Sequence, residues 1–186
     1  FILIFICFPA FKFTADFILE NIKIQTNVIE NAWRYNVKRF IFLGSSCIYP
    51  KLAEQPLKEE YLLSGGLEKT NESYAIAKIT GIKLCNALKK QYGFDAISLM
   101  PTNLYGKGDN YHPKNSHVLA ALIKKFYLAK KNKKKKVEIW GTGKPLREFM
   151  HVDDFAEAII IAAKKYNSAE PLNIGSGDEV SIAKLA

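Results

Sequence analysis

The run Arg39-Phe-Ile-Phe-Leu-Gly44 constrains the fold more than any other stretch. It is short, continuously apolar and closed by glycine, the pattern of a strand buried on both faces in a parallel sheet. Asp95-Ala-Ile-Ser-Leu-Met100 repeats it. Between the two, Ile76, Ile79, Ile82 and Cys85 or Leu88 recur at helical spacing, and Gly93 supplies a stop. Strand, helix, strand at these lengths is the repeating unit of an α/β sheet. Ligands of such sheets collect beyond the carboxyl ends of the strands. That edge is where Ser45, Ser46 and Cys47 follow the first run and Pro101-Thr-Asn103 follows the second.

The remaining segments read more simply. Asp16 to Tyr35 carries Ile18, Ile22, Ile29, Ala32 and Trp33 at roughly helical spacing, predicting one amphipathic helix. Pro50 to Thr70, rich in Lys, Glu and Gly, is expected to be a long surface connection, and Pro101 to Gly106 a loop. Ser116 to Lys131 predicts a helix with Leu119, Leu122, Ile123 and Phe126 inward and His117 in its first turn. Val137 to Trp140 predicts a short strand and Gly141 to Pro145 a turn. Arg147 to Asp154 predicts an extended segment, with Asp153 placed to cap a helix over Ala156 to Lys165. Leu172 to Gly177 gives a last strand and turn, and Ser181 opens a further helix. Phe1 to Phe13 is apolar, with no basic residue ahead of the run. A signal peptide needs that flank and a spanning helix needs about 20 apolar residues, so the stretch reads as a truncated or poorly defined start.

At 186 residues and 48% hydrophobic, the chain can bury a sizeable core and is not disordered in composition. Its formal charge of +9 is local: six lysines fall between Lys130 and Lys136, and without them 21 of the 27 basic residues stand against 18 acidic ones. No aromatic residues interleave with the cluster, as a single-strand-binding groove would require, so it reads as a solvated loop and no nucleic-acid partner is expected. Cys7, Cys47 and Cys85 are widely spaced, with no Cys-x-x-Cys pair and no metal-ligand grouping with the histidines. A reducing, cytoplasmic compartment fits, with no metal and no membrane.

Chemistry concentrates on Tyr74 and Lys78. Residues four apart share a helix face, so phenol and ammonium project into one volume. A phenol left alone titrates at about 10, and a neighbouring cation stabilises its phenolate. Tyr127 and Lys131 repeat the spacing where nothing else suggests chemistry. Tyr74 stands out because a strand-end hydroxyl, Ser45, precedes it and Pro101-Thr-Asn103 follows it. A proton-donating phenol, a hydroxyl for the carbonyl oxygen and a lysine for a nicotinamide ribose are what carbonyl reduction requires.

Several runs together resemble the GDP-L-fucose synthase family of the extended short-chain dehydrogenase/reductase superfamily. They are Phe42-Leu-Gly-Ser-Ser-Cys-Ile-Tyr-Pro-Lys51, Leu67 to Lys78, Met100-Pro-Thr-Asn-Leu-Tyr-Gly106, Asp109 to His117, Trp140-Gly-Thr-Gly143 and Arg147-Glu-Phe-Met-His-Val-Asp-Asp154. The resemblance covers about Ala15 to Gly177. It implies a Rossmann-type parallel sheet with flanking helices, partial and NADP-binding over residues 15–112. Residues 113–186 would supply part of a smaller C-terminal substrate-binding domain with some returning Rossmann segments, and 1–14 stand as an atypical start. It also implies NADPH-dependent conversion of GDP-4-keto-6-deoxy-D-mannose to GDP-L-fucose in a homodimer. Tyr74 would be the reductase proton donor, supported by Ser45 and Lys78, with Cys47 and His117 as the epimerisation pair. Cofactor contacts would fall at Leu43, Gly44, Ser45, Ser46, Lys78, Pro101, Thr102, Asn103, Leu104 and His117, and substrate contacts at Lys125, Trp140 and Arg147. Arg147's fork suits a diphosphate.

The chain departs from the family in several places. No Gly-x-x-Gly-x-x-Gly turn occurs, so the N-terminal phosphate-loop unit is missing, the chain is expected to be a fragment or misread at its start, and it should bind NADP poorly. Lys125 stands where the family usually has arginine, and Lys107-Gly108 replaces a usual Gly-Pro context. Two other readings stay open: another nucleotide-sugar epimerase or dehydratase using Tyr74 and Lys78, and, more distantly, a non-catalytic protein binding through its lysines.

Overall fold

A computed structural model describes residues 14–112 and 116–186 of the chain. In chain order the elements are α1 (Thr14–Arg34), β1 (Phe40–Leu43), α2 (Glu72–Tyr92), β2 (Ala96–Pro101), β3 (Asn103–Tyr105), α3 (Val118–Lys131), β4 (Leu146–His151), α4 (Val152–Lys165), β5 (Leu172–Ile174), β6 (Glu179–Ser181) and α5 (Ile182–Leu185). They form two units. One runs to Thr102 and takes back Ala156–Ile174; the other comprises Asn103–Phe155 and Gly175–Ala186. The apolar stretch Phe1 to Phe13 lies outside the described residues.

In the first unit β1, β2 and β5 make a parallel sheet in that order, with Phe40 opposite Ala96, Leu43 opposite Leu99, and Leu99 to Pro101 opposite Leu172 to Ile174. Alternation along the strands sends Phe42, Ala96 and Met100 to one face, where they pack with Ile29 of α1 and Ile79, Ile82, Cys85 and Leu88 of α2. Ile97 and Leu99 go to the other face, against Ala162 and Ile159 of α4. Both faces are covered, as the continuous apolar runs predict, and β2 is buried along its whole length. Gly93 ends α2 in the left-handed conformation at φ 70°.

Large apolar residues alone misjudge which helix faces turn inward. Ile76 is 40% exposed, because α2 buries the small residues Ala75, Ala77 and Gly81 instead. A Cβ at Gly81 would overlap the Phe42 ring, so the helix approaches β1 more closely than a larger side chain allows. On α1 the buried residues are Phe17, Asn21, Gln25 and Ile29, whereas Ile18 and Ile22 are only half-buried. The amides are tolerated there because they are satisfied: Asn21 Nδ2 donates to Phe17 O at 2.8 Å and Gln25 Nε2 to Ala77 O at 2.5 Å. The connection from Pro50 to Thr70 is not purely superficial either, since Leu57, Tyr61, Leu62 and Leu67 pack against the core.

The second unit holds a sheet ordered β3-β4-β6, parallel between β3 and β4 and antiparallel between β4 and β6. Residues 103–105 are thus a strand and not a loop. Their pairing with Phe149, Met150 and His151 decides it, and three residues carry no periodicity of their own. In α3 Leu122 is buried with Ala120 and Ala129, but Ile123 is 49% exposed and Phe126 38%. Val137 to Trp140 has no ladder partner among the described residues. α4 starts at Val152, so Asp153 lies in its first turn, where the helix dipole favours a carboxylate, and not at the cap. Ser181 does cap α5, its Oγ accepting from Lys184 N at 3.1 Å. Among the described residues no helix is long and apolar enough to cross a membrane.

Candidate active site

At the carboxyl end of β1 the last rung is Gly44 N–H donating to Leu99 O at 2.9 Å. Met100 Sδ and Cε fill the space a Gly44 Cβ would need, which ties the two strand ends together. Ser45 then extends at φ −160°, ψ 151°, and its Oγ accepts the Cys47 N–H at 3.3 Å, opening a short 3-10 turn over Ser46–Ile48. With that oxygen accepting from the backbone, the hydroxyl proton is available to a ligand oxygen. Cys47 is exposed and its thiol is free. Cys85, buried in the core, has its thiol pushed up to about 12 by desolvation and behaves as an inert hydrophobe.

Tyr74 and Lys78 occupy successive turns of α2. Lys78 Nζ donates to Leu43 O at 3.0 Å and lies 5.2 Å from the centroid of the Phe42 ring and 5.7 Å from that of Tyr74. Lys78 is 6% exposed, and burial brings its ammonium down from 10.5 to about 8. Tyr74 packs edge-on against Phe17 of α1, ring centroids 5.9 Å apart. Pro101 ends β2 buried, and Thr102 N–H donates to Ile174 O at 3.1 Å. Leu43, Gly44, Ser45, Ser46, Cys47, Tyr74, Lys78, Pro101 and Thr102 therefore gather around two adjacent strand ends of one sheet.

The other predicted residues belong to the second unit. Asn103 and Leu104 lie on β3, and Asn103 Nδ2 is spent on Glu148 O at 2.9 Å. His117 is exposed immediately before α3 and makes no side-chain capping bond. Lys125 and Trp140 are brought together: Nζ sits 4.1 Å from the indole ring centroid and donates to Glu138 O at 3.3 Å. Trp140 itself is 74% exposed, so it is no core residue. Arg147 is exposed on β4, with Nη1 on its neighbour's carbonyl, Leu146 O, at 2.7 Å. No group of three or more His, Cys, Asp or Glu among the described residues could hold a metal ion.

Three features of the first unit escaped sequence reasoning. Phe42 floors Lys78, and strand alternation could have placed it on the α2 side. Phe17 supports Tyr74, and only the true inward face of α1 reveals that. Tyr49, two positions after Cys47 in the same motif, donates to Asn173 Oδ1 at 2.5 Å from 124 positions away, a partner no local pattern announces.

Comparison with known proteins gives the chain's relatives. GDP-L-fucose synthase 1 of Arabidopsis thaliana is 59% identical over 174 residues, 94% of this chain and 54% of that protein. GDP-L-fucose synthase of Escherichia coli (strain K12) is 49% identical over 183 residues, 94% of this chain and 57% of that protein. The chain thus spans about half the length of the curated relatives it matches. Among solved structures, a GDP-L-fucose synthetase from Naegleria fowleri bound to NADP superposes with a TM-score of 0.86 at 31% identity, covering 97% of this chain and 57% of that one. The model of the NAD dependent epimerase/dehydratase family matches residues 9–175. A match of that extent, together with a parallel sheet flanked by the helix that carries the Tyr-x-x-x-Lys pair, makes the chain a member of the NAD dependent epimerase/dehydratase family.

Proposed function

We propose that this chain carries the chemistry of a GDP-L-fucose synthase: NADPH-dependent conversion of GDP-4-keto-6-deoxy-D-mannose to GDP-L-fucose by 3,5-epimerisation and 4-keto reduction. The observation that carries the reading is the buried Lys78 ammonium held beside Tyr74 at the strand end that also bears Ser45 and Cys47. The two relatives named above, both GDP-L-fucose synthases, support it.

NADPH, when bound, supplies the hydride that reaches C4 of the keto sugar. The residues present suit its nicotinamide half, while the glycine-rich turn for its phosphates is not in this sequence: Lys78 spends one N–H on Leu43 O, leaving others for a ribose hydroxyl, and Leu43 to Ser46 with Pro101 and Thr102 offer backbone at the strand ends. As charge develops on O4, Tyr74 gives it the phenolic proton, Ser45 donates a hydrogen bond to it, and Lys78 stabilises the phenolate left behind. The 4-keto group acidifies the hydrogens at C3 and C5. Cys47, as thiolate, takes a proton from carbon while the electron pair moves to O4, and His117, as imidazolium, returns a proton to the opposite face. Arg147 serves the diphosphate, with Lys125 and Trp140 as further substrate contacts. Free thiols at Cys47 and Cys85 accord with a reducing, cytoplasmic compartment, and a homodimer is the assembly the family resemblance implies.

The test is turnover in deuterated water by the protein expressed from its own gene. Deuterium entering C3 and C5, with NADPH consumed and GDP-L-fucose formed, is the expected result. Reduction without exchange at either carbon would assign the chain to a different nucleotide-sugar enzyme.

A further inference from the structure

The turn that carries Cys47 is held unevenly. On its upstream side the 2.9 Å rung from Gly44 N–H to Leu99 O secures Ser45 to the sheet. Beyond that rung the bonds are long: Cys47 N–H to Ser45 Oγ at 3.3 Å, Ile48 N–H to Ser45 O at 3.3 Å and Tyr49 N–H to Ser46 O at 3.4 Å. Bonds of that length are weak and hold the turn's backbone loosely on that side.

The short bond lies downstream. Tyr49 is 4% exposed, and its hydroxyl donates to Asn173 Oδ1 at 2.5 Å. Asn173 is itself immobilised on β5, opposite Met100 of β2. Its N–H donates to Glu59 Oε1 at 2.8 Å and its Nδ2 to Leu57 O at 3.0 Å. Burial first, and the Glu59 charge second, push the Tyr49 hydroxyl up to about 12, so it keeps its proton and its role as donor at any working pH.

We infer that Tyr49 is the positioning residue for Cys47: through Asn173 it locks the far end of the turn, and proton exchange at carbon depends on it while carbonyl reduction does not. The split follows from the two anchors, since Ser45 adjoins the 2.9 Å Gly44 rung, whereas Cys47 has only the long 3.3 Å bond to Ser45 on that side and the short Tyr49 bond two positions further on. This inference rests on the assignment of Cys47 to the exchange step.

Tyr49→Phe keeps the ring in the core and removes only the hydroxyl, which makes it the test variant. Three results are expected with the protein expressed from its own gene. Solvent-deuterium entry at C3 and C5 slows by about 10²-fold, the scale of a small misplacement of a reacting group. Reduction of a 4-keto sugar nucleotide that needs no epimerisation keeps its rate. Amide hydrogen exchange over residues 46–49 quickens. Asn173→Ala reproduces the first loss, and in a Cys47→Ala background Tyr49→Phe adds nothing further. Parallel loss of exchange and reduction, or wild-type exchange in Tyr49→Phe, overturns the positioning role. A wild-type protein that neither exchanges nor reduces the keto sugar overturns the assignment of Cys47, and the amide-exchange result then reports on the turn alone.

Discussion

Lys78 is a charge placed where a charge is costly, and that placement makes it titrate within reach. Desolvation lowers its pKa to about 8, while in the unfolded chain it keeps the ordinary value of 10.5. Between those values the unfolded chain binds the extra proton, so Lys78's contribution to stability rises with pH from about 8 to 10.5, and the burial cost is felt in full below 8. The proposed reduction, by contrast, needs the ammonium. The rate of NADPH consumption should therefore fall as pH rises through about 8, and Lys78→Arg, whose guanidinium stays protonated, should remove that limb even at a lower overall rate. A wild-type profile flat across pH 8 would show that the ammonium is not needed. The Tyr74–Lys78 pairing was legible in the sequence because a helix converts spacing of four directly into proximity. Strand alternation puts Phe42 on the α2 side but not its ring beneath Lys78, and Asn173 beyond Tyr49 was not legible at all, because that closeness is made by chain return.

At the scale of elements, close approach decides more than apolar bulk. The helix α2 reaches β1 through Gly81, whose missing Cβ leaves room for the Phe42 ring. Gly81→Ala gains about 1 kcal/mol of helix propensity, but it drives a methyl into a ring that is 6% exposed and packed among Ile79, Ile82 and Met100. Overpacking of that kind costs about 1–3 kcal/mol. The expected balance is a lower unfolding midpoint, with weaker reductase activity because Phe42 also lies under Lys78; an unchanged or raised midpoint would mean that the ring yields freely. This is also where the sequence reading thinned. Short, largely apolar runs announce β1, four residues long, and β2, six residues long, and Gly93 announces the end of α2. Ile76, a large residue on α2, faces out because Ala77 and Gly81 do the packing, and β3 and β6, three residues each, exist only through β4.

In the molecule as a whole, the two units are not consecutive lengths of chain. Residues that complete the first sheet return after 53 intervening positions, as Ala156–Ile174, and no change of composition marks the passage at Thr102. That segment brings β5, which pairs with β2, and Ile159, Ala162 and Tyr166, which cover Ile97 and Leu99 on the second face. Each large apolar side chain so covered stabilises by about 1.5–3 kcal/mol. Uncovering several at once is comparable with the whole folding margin of about 5–15 kcal/mol. A chain cut after Phe155 should therefore lose cooperative melting and take up an apolar fluorescent dye. One cut after Ile174 forfeits only β6 and α5 of the second unit and should keep the melting transition of the first sheet. Thermal melts of the two truncations beside the full 186-residue chain separate these outcomes. If the shorter chain melts as cooperatively as the longer, the second face is closed by something other than the returning segment.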